Sequence, residues 1–279
     1  MEKKQKKRAN DLTGSEWLKN SFTIWRDIRK TKEEKQLKHP AMFPAMLAEK
    51  LIECYTKEIN DSKKRSLILD PFCGIGTTVI AATQKNRNSI GIELSKEFVK
   101  ISKKRLNDIQ AQTTLDKSKK AKIKPTIIND KAENILKHVK SNTIDFCVTS
   151  PPYWDILNQK RTVDSKETKN YGASKSDLGN ISDYDDFLNG LKVIFTDVFD
   201  VLKSGTRCAV VVMDIRKKSK FYPLHIDLTS KMQKIGFELD EFVVWDRQHE
   251  YNFMTTLGYP SVFRFNKVHE FICIFKKPD

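Results

Sequence analysis

The feature that most limits the fold of this chain is the alternation of short apolar runs with helical stretches from residue 66 onward. The runs are apolar throughout rather than at every second position, which is typical of parallel strands buried between layers of helices. No helical stretch separates the last two runs, so we expect the sheet to end with an antiparallel strand. The predicted fold class is therefore α/β, a mostly parallel sheet with helices on both faces.

The expected elements follow from these runs and from the helical periods between them. Residues 1–38 form a basic N-terminal arm that we expect to be helical or irregular, and residues 39–279 form the main domain. The predicted strands are 66–70, 89–94, 125–130, 143–150, 207–215, 237–245 and 268–276. The predicted helices are 77–85, a helix ending near 107, 132–138, 183–202 and 224–235.

The composition limits the partners more than the fold. The chain of 279 residues has 51 Lys and Arg against 36 Asp and Glu, a formal charge of +15, which favours a polyanionic partner such as nucleic acid. It contains no apolar run of about eighteen residues and no secretory signal, so no membrane association is expected. The five cysteines form no Cys-x-x-Cys pair and the histidines have no ligand-like neighbours, so we expect a cytoplasmic protein with reduced thiols and no bound metal.

The turn after the first predicted strand contains two glycines and reads DPFCGIGTT. Gly74 and Gly76 have no Cβ, so a ligand can approach the backbone closely there. The first three strands end at or beside an acid, namely Asp70, Glu93 and Asp130, and three carboxylates at one rim predict a ligand with hydroxyl groups or positive charge. Glu93 can accept hydrogen bonds from both hydroxyls of a ribose, and Asp130 can bind an adenine amino group.

The same turn does not match a phosphate-binding loop, because no lysine follows Gly76 as a P-loop requires. S-adenosylmethionine suits it better, since that molecule joins adenosine to an amino group and a sulfonium. An alternative stays open, in which the three acids are unrelated surface residues at helix N-termini.

The strand predicted over 143–150 leads into the sequence TSPPYW. Two consecutive prolines remove two backbone donors and stiffen the turn. The Ser150 hydroxyl and the Pro151 carbonyl can accept hydrogen bonds from the exocyclic amino group of a nucleobase, which favours a pyramidal nitrogen able to attack a methyl group in line. Tyr153 can stack on a base extruded from the duplex. A rigid turn without chemistry is the alternative explanation.

The motifs DPFCGIGTT, GIEL and TSPPYW together resemble those of the amino-directed DNA methyltransferases, which act on cytosine N4 or adenine N6. The segments KHPAMFP, VVWDRQ and HEFICIFKK are similar to further parts of that family. The resemblance implies a Rossmann-like catalytic domain over 39–279 that uses S-adenosyl-L-methionine. The catalytic residues that it implies are Ser150, Pro151, Pro152 and Tyr153. The cofactor-binding residues that it implies are Asp70, Phe72, Gly74, Gly76, Thr77, Glu93 and Asp130, with His39, Pro40 and Phe43 closing the pocket.

The resemblance also implies double-stranded DNA as the substrate, but it leaves the target base open. Ser150 in the first place of the tetrad favours cytosine N4, whereas the order of the two main motifs suits the adenine-N6 branch. Noncatalytic nucleic-acid binding and RNA methylation are further alternatives. We expect a DNA-contacting insertion over about 155–180, with other contacts from the basic run 216–220 and the segment 247–264. A cognate restriction endonuclease is one candidate partner, and the sequence leaves the oligomeric state open.

Overall fold

Strands and helices alternate along the chain from the first predicted strand onward. The computed structural model describes residues 8–37, 42–115, 123–155, 178–217, 219–250 and 261–279, with the backbone alone over 112–115. The strands are β1 (Ile24–Trp25), β2 (Leu67–Asp70), β3 (Asn88–Glu93), β4 (Pro125–Asn129), β5 (Ile144–Thr149), β6 (Leu202–Val212), β7 (Ile215–Lys217), β8 (Lys220–Tyr222), β9 (Glu238–Asp246) and β10 (His269–Lys276). The helices are α1 (Gly14–Asn20), α2 (Lys32–Gln36), α3 (Ala45–Tyr55), α4 (Thr77–Gln84), α5 (Lys96–Leu115), α6 (Ile135–His138), α7 (Tyr184–Val201) and α8 (Leu224–Gln233).

The large sheet has the strand order β1-β9-β10-β6-β5-β2-β3-β4. The strands from β6 to β4 are parallel, whereas β10 is antiparallel to its neighbours β6 and β9. The predicted α/β fold with an antiparallel strand near its end is therefore confirmed. β2 and β5 lie side by side, with Ile68 opposite Phe146 and Leu69 opposite Cys147. From β2 the strand order runs outward in both directions, so the carboxyl ends of β2 and β5 form the switch point where open α/β sheets bind ligands.

Helices cover both faces of this sheet. On one face Leu51 of α3 belongs to a buried apolar cluster with Phe146 and Val148 of β5. On the other face Phe195 of α7 belongs to a second cluster with Cys147 of the same strand. Successive residues of β5 thus pack against opposite helical layers, which explains why its sequence is apolar without alternation.

The N-terminal region contains a short strand that the sequence did not indicate. Ile24 pairs with Val244 and Trp25 with Trp245, so β1 extends the sheet in parallel to β9. Trp25 is 4% exposed. The expectation that the arm is helical or irregular is wrong at these two residues, because so short a strand shows no periodicity and its partner lies near the other end of the chain.

The strand predicted over 207–215 is interrupted before its end. β6 stops at Val212, and the antiparallel hairpin of β7 and β8 follows, with Ile215 opposite Tyr222. Between them, Oδ1 of Asp214 accepts a 3.3 Å hydrogen bond from the backbone N–H of His225 and lies 2.6 Å from the ring Nδ1 of the same residue. Asp214 thereby joins the end of β6 to the first turn of α8, and the basic run after it forms a hairpin instead of continuing the sheet.

Several sequence predictions fall outside the described residues. They include 156–177 of the predicted insertion, 251–260 of the predicted DNA-contacting segment, and both His39 and Pro40. Within the described ranges, none of the helices combines the length and the apolar character needed to cross a bilayer.

Candidate active site

Asp70, the last residue of β2, is the centre of a hydrogen-bond network that joins three elements. Its Oδ1 accepts hydrogen bonds from the Thr149 hydroxyl at 2.6 Å and from the Phe72 backbone N–H at 3.0 Å. Its Oδ2 accepts a third, from the Thr78 hydroxyl of α4, at 2.6 Å. Asp70 is 1% exposed, and burial raises the pKa of its carboxyl from an ordinary 3.8 to about 6. The carboxylate therefore fastens the glycine turn and α4 to the end of β5.

The turn between β2 and α4 requires its glycines for backbone and packing reasons. Gly74 has a φ of +54° and Gly76 a φ of +85°, both in the left-handed region that other residues rarely adopt. A Cβ on Gly76 would lie 2.7 Å from the Cβ of Ser102 in α5. Nη1 of Arg105, also in α5, donates a 2.6 Å hydrogen bond to the carbonyl of Ile75. The protein itself thus fixes the turn closely against α5.

Glu93, the last residue of β3, reaches back to this turn. Its Oε2 accepts a 2.8 Å hydrogen bond from the Gly74 N–H, and its Oε1 accepts a 2.7 Å hydrogen bond from the Ser95 N–H. Each carboxylate oxygen has a second acceptor direction, so further donors can bind to a carboxylate in this position. The predicted ribose-binding acid and the first predicted glycine are therefore in direct contact.

Asp130 lies next along the same edge, just after β4. Its backbone N–H donates to the Glu93 carbonyl at 3.2 Å. Its carboxylate accepts hydrogen bonds from Asn134 Nδ2 at 2.7 Å and the Lys131 N–H at 2.8 Å, and it lies 2.7 Å from Nε2 of His138. Hydrogen bonding, from His138 above all, holds the pKa of Asp130 well below its usual range. The acid is therefore kept charged at neutral pH.

The Ser-Pro-Pro-Tyr turn follows β5. Ser150 Oγ and the Tyr153 hydroxyl oxygen are 3.0 Å apart. The Tyr153 hydroxyl also donates a 2.7 Å hydrogen bond to Oε2 of Glu270, near the start of β10. Burial, followed by the charge of Glu270, raises the pKa of Tyr153 well above its ordinary value. The tyrosine is therefore neutral, and its hydroxyl is anchored to the neighbouring strands.

Glu270 is a site residue that sequence reasoning missed. It is 5% exposed, and its Oε1 is ion-paired with Arg247. Arg247 also pairs with Glu250 at 2.6 Å, and its guanidinium lies 4.7 Å from the centre of the Trp245 ring. The available signal was a lone acid in the apolar strand HEFICIF, because a buried charge requires partners. The sequence could not tell that one of those partners is Tyr153.

The other predicted site residues lie in the two turns or behind them. Thr77, the first residue of α4, is 4% exposed, and its buried Oγ1 has no hydrogen-bond partner in the described part of the chain. Phe72 is half-buried, with its ring centre 6.5 Å from that of Phe195. Pro151 is buried and Pro152 is half-buried.

Phe43 lies in the core on the α3 face of the sheet. It is 8% exposed and belongs to the apolar cluster that includes Leu47. Its role in closing a cofactor pocket stays a prediction, as do the roles of His39 and Pro40.

The structure brings the two predicted groups of residues to one edge of the sheet. The 2.6 Å hydrogen bond from Thr149 to Asp70 joins the Ser-Pro-Pro-Tyr turn to the glycine turn, and Glu93 and Asp130 continue the row along β3 and β4. These features define a Rossmann-like α/β protein with its site at the switch point of the sheet.

The chain belongs to the DNA methylase family (N6_N4_Mtase). The family model matches residues 1–104 and 144–279. The matched ranges include the glycine turn, Glu93, the Ser-Pro-Pro-Tyr turn and Glu270, whereas Asp130 lies in the unmatched segment between them. The resemblance drawn from the motifs is therefore confirmed.

Two curated relatives and one solved structure illustrate the similarity. The type II methyltransferase M2.LlaDCHI of Lactococcus lactis subsp. cremoris is 45% identical over 85 residues, which are 30% of this chain and 29% of that protein. The orphan methyltransferase M.BamHII of Bacillus amyloliquefaciens is 37% identical over 91 residues, 31% of this chain and 32% of that protein. The chain thus spans about a third of the length of these relatives. A DNA modification methylase of Thermus thermophilus, solved in complex with S-adenosyl-L-methionine, is 26% identical with a TM-score of 0.37 and covers 53% of each chain.

Proposed function

We propose that this protein is a DNA methyltransferase that moves a methyl group from S-adenosyl-L-methionine to the exocyclic amino group of a base flipped out of double-stranded DNA. The main support is the Thr149–Asp70 hydrogen bond, because it holds Ser150 beside the glycine turn. Membership of the DNA methylase family supports the same activity. We assign the reaction to residues 39–279, with the residues before them as an N-terminal arm.

The residues around the glycine turn fit the proposed cofactor. The Glu93 carboxylate is suited to ribose hydroxyls, and the charged Asp130 carboxylate is suited to the amino group of adenine. The buried Thr77 hydroxyl, which has no partner within the described ranges, fits a polar ligand group at the turn. The residues that we assign to the methionine part are Asp70, Phe72, Gly74 and Gly76.

The residues of the second turn act on the target base. Ser150 Oγ and the Pro151 carbonyl accept hydrogen bonds from the amino group and orient its lone pair, while the Tyr153 ring stacks on the flipped base. When bound, the cofactor supplies a methyl carbon whose bond to sulfur breaks with its electron pair left on sulfur, while a bond to the amino nitrogen forms and that nitrogen then loses one proton. The protein's contribution is orientation and the placement of hydrogen-bond acceptors.

We propose cytosine N4 as the target atom. The serine at position 150 supports this choice, since an aspartate or asparagine is usual at that place in the adenine branch that the sequence resembles. Adenine N6 is the second candidate, and it is supported by the order of the motifs, with the glycine turn before the Ser-Pro-Pro-Tyr turn.

We further propose that DNA phosphates bind beside the β7–β8 hairpin. The Arg216 guanidinium carbon lies 5.2 Å and Lys267 Nζ lies 5.4 Å from the ring centre of Phe221, which is 42% exposed. Burial and then the charge of Arg216 lower the pKa of Lys267, so the two cations repel each other. A phosphate between them would relieve that repulsion. The predicted insertion over 155–180 and the segment 247–264 are further proposed contacts.

The proposed activity is tested by incubating the protein with cofactor labelled in the methyl group and with mixed duplex DNA. Label in DNA is expected, and digestion to nucleosides followed by mass spectrometry identifies the methylated base. Binding of cofactor without any label in DNA would favour a noncatalytic nucleic-acid-binding protein. Preferential competition by structured RNA would favour an RNA substrate.

The cellular setting is proposed from the relatives. One relative is named a type II methyltransferase and another an orphan methyltransferase, so this chain could act with or without a restriction endonuclease. We propose a cytoplasmic enzyme with a cognate endonuclease. Cleavage of unmethylated but not of methylated duplex by an extract of the source cells tests that pairing.

A further inference from the structure

We propose that Glu270 is a positioning residue that fixes the direction of the hydrogen bonds in the Ser-Pro-Pro-Tyr turn, so that Ser150 presents a lone pair and not a proton to the target amino group. The inference rests on the proposed methyl transfer. It assigns a role to a residue outside both turns, in the strand β10.

The first step of the argument is that Glu270 can act only as an acceptor. It is 5% exposed and paired with the Arg247 guanidinium, which compensates its buried charge. A carboxylate in such a pair has no proton to donate. The contact of 2.7 Å between its Oε2 and the Tyr153 hydroxyl is therefore a hydrogen bond donated by the tyrosine.

The second step follows from the single proton of the Tyr153 hydroxyl. The other close protein acceptor, the Val211 carbonyl at 3.4 Å, can also only receive that proton. The tyrosine therefore has no proton for Ser150, whose Oγ lies 3.0 Å away. At this contact the Ser150 hydroxyl must donate and the Tyr153 oxygen must accept.

The third step concerns what remains on Ser150. Because its proton points to Tyr153, its oxygen faces the base side with lone pairs alone. Such an oxygen accepts a hydrogen bond from the target amino group and leaves the nitrogen lone pair free. A serine with the opposite orientation would direct its proton at that nitrogen and occupy the lone pair that has to attack.

The variant Glu270→Gln reverses this polarity at almost constant shape. Arg247 needs an acceptor, so the amide oxygen faces the arginine and the NH₂ group faces Tyr153. The tyrosine then accepts from the amide and turns its proton to the nearer acceptor, Ser150 Oγ at 3.0 Å rather than the Val211 carbonyl at 3.4 Å. We expect kcat to fall by about 10- to 100-fold, while the Kd for S-adenosyl-L-methionine and the KM for duplex DNA change by less than about twofold.

The decisive measurement uses the tyrosine hydroxyl as a switch. In a Tyr153→Phe background no hydroxyl can be reversed, so adding Glu270→Gln should cost no further activity, and the double variant should match Tyr153→Phe alone. A residue that merely supports the fold would lower kcat equally in both backgrounds. Additive losses, or an unchanged kcat in Glu270→Gln, would overturn the proposal.

Two further measurements keep the test clear. Glu250→Gln is the matched control, because Glu250 shares the Arg247 partner without touching Tyr153, and it should keep the wild-type kcat. If Glu270→Gln does not fold, Tyr153→Phe alone decides: it removes the acceptor of the Ser150 proton and should lower kcat with the ring still present, and full activity would reject the proposal. Absence of methyl transfer by the wild-type protein would instead reject the proposed function.

Discussion

The Thr149 hydroxyl donates a 2.6 Å hydrogen bond to the buried carboxylate of Asp70. These two residues end neighbouring parallel strands, and each is followed directly by one of the two turns of the proposed site. The bond therefore sets the spacing between the cofactor side and the base side. Since a methyl transfer without metal or covalent intermediate depends on the alignment of its reactants, this spacing is central to the proposed reaction.

Replacing Thr149 with Val should remove that bond at nearly constant volume. Asp70 would lose one of its three donors in a buried place, so the free energy of unfolding should fall by about 1–3 kcal/mol. Urea denaturation measures the change. The control is Thr143→Val, whose hydroxyl bonds to the Lys140 carbonyl in an exposed position, and which should change stability by less than about 0.5 kcal/mol. Equal effects of the two substitutions would contradict the role given to Thr149.

The titration of Asp70 should appear in the pH dependence of stability. Burial raises its pKa from 3.8 to about 6 in the folded state, so the folded protein binds this proton more tightly than the unfolded chain does. The contribution of Asp70 is therefore fully present below about pH 4 and is lost as the pH rises through 6, by roughly 3 kcal/mol. In Asp70→Asn this loss is absent, so the stability of the variant relative to wild type should rise between pH 4 and 7. A constant difference across that range would refute the assignment.

Replacing Glu93 with Ala should weaken cofactor binding before it affects anything else. The substitution removes two acceptor oxygens proposed for the ribose and also the hydrogen bond from the Gly74 N–H, so we expect the Kd to rise by about 10- to 100-fold. Isothermal titration calorimetry with S-adenosyl-L-methionine measures this effect. Glu97→Ala, at an exposed position in the first turn of α5, is the control and should leave the Kd unchanged. An unaltered affinity in the Glu93 variant would count against its role.

Replacing Tyr153 with Ala should separate base binding from cofactor binding. Loss of stacking costs on the order of 1–3 kcal/mol per base, which should reduce turnover on duplex DNA by about 10-fold or more. The cofactor affinity should change little, because Tyr153 lies on the Ser150 side of the site. Steady-state kinetics together with calorimetry provide the comparison, and equal losses of turnover and cofactor affinity would argue against stacking.

Removing the two cations beside Phe221 should weaken DNA binding and its salt dependence together. In Arg216→Gln/Lys267→Gln we expect the slope of log affinity against log salt concentration to decrease by about 2, since each phosphate contact releases roughly one counterion. Fluorescence anisotropy with a labelled duplex at several salt concentrations measures the slope. Lys64→Gln, which removes an exposed charge before the start of β2 at the opposite edge of the sheet, should leave it unchanged. An unchanged slope in the double variant would remove this hairpin from the DNA surface.

The sequence was sufficient for features that depend on neighbouring residues. Strands such as β5 are short and buried on both faces, so their apolar runs stand out. The turns after β2 and β5 are encoded by glycines and prolines whose conformational effect is local. Because parallel strands end at one edge, these local predictions together placed Asp70, Glu93 and Ser150 on the same side of the sheet.

What the sequence could not supply was the set of contacts between distant segments. Glu270 meets Tyr153 only because β10 inserts antiparallel next to β6, and no local pattern fixes that register. The donors from Thr78 and Thr149 to Asp70 likewise depend on how α4 and β5 lie against β2. Strand β1 escaped prediction for the same reason, since its two residues are ordered by β9 rather than by their own periodicity.

The position of β10 between β6 and β9 has a consequence for synthesis on the ribosome. β9 is made before β10 but has no place in the sheet until β10 has emerged and paired with β6, and β1 must wait for β9 in turn. Glu270 arrives with the same late segment. A nascent chain can therefore assemble the half of the sheet that carries the glycine turn early, while the partner of Tyr153 is added near the end of translation, so the enzyme matures from its cofactor side to its base side.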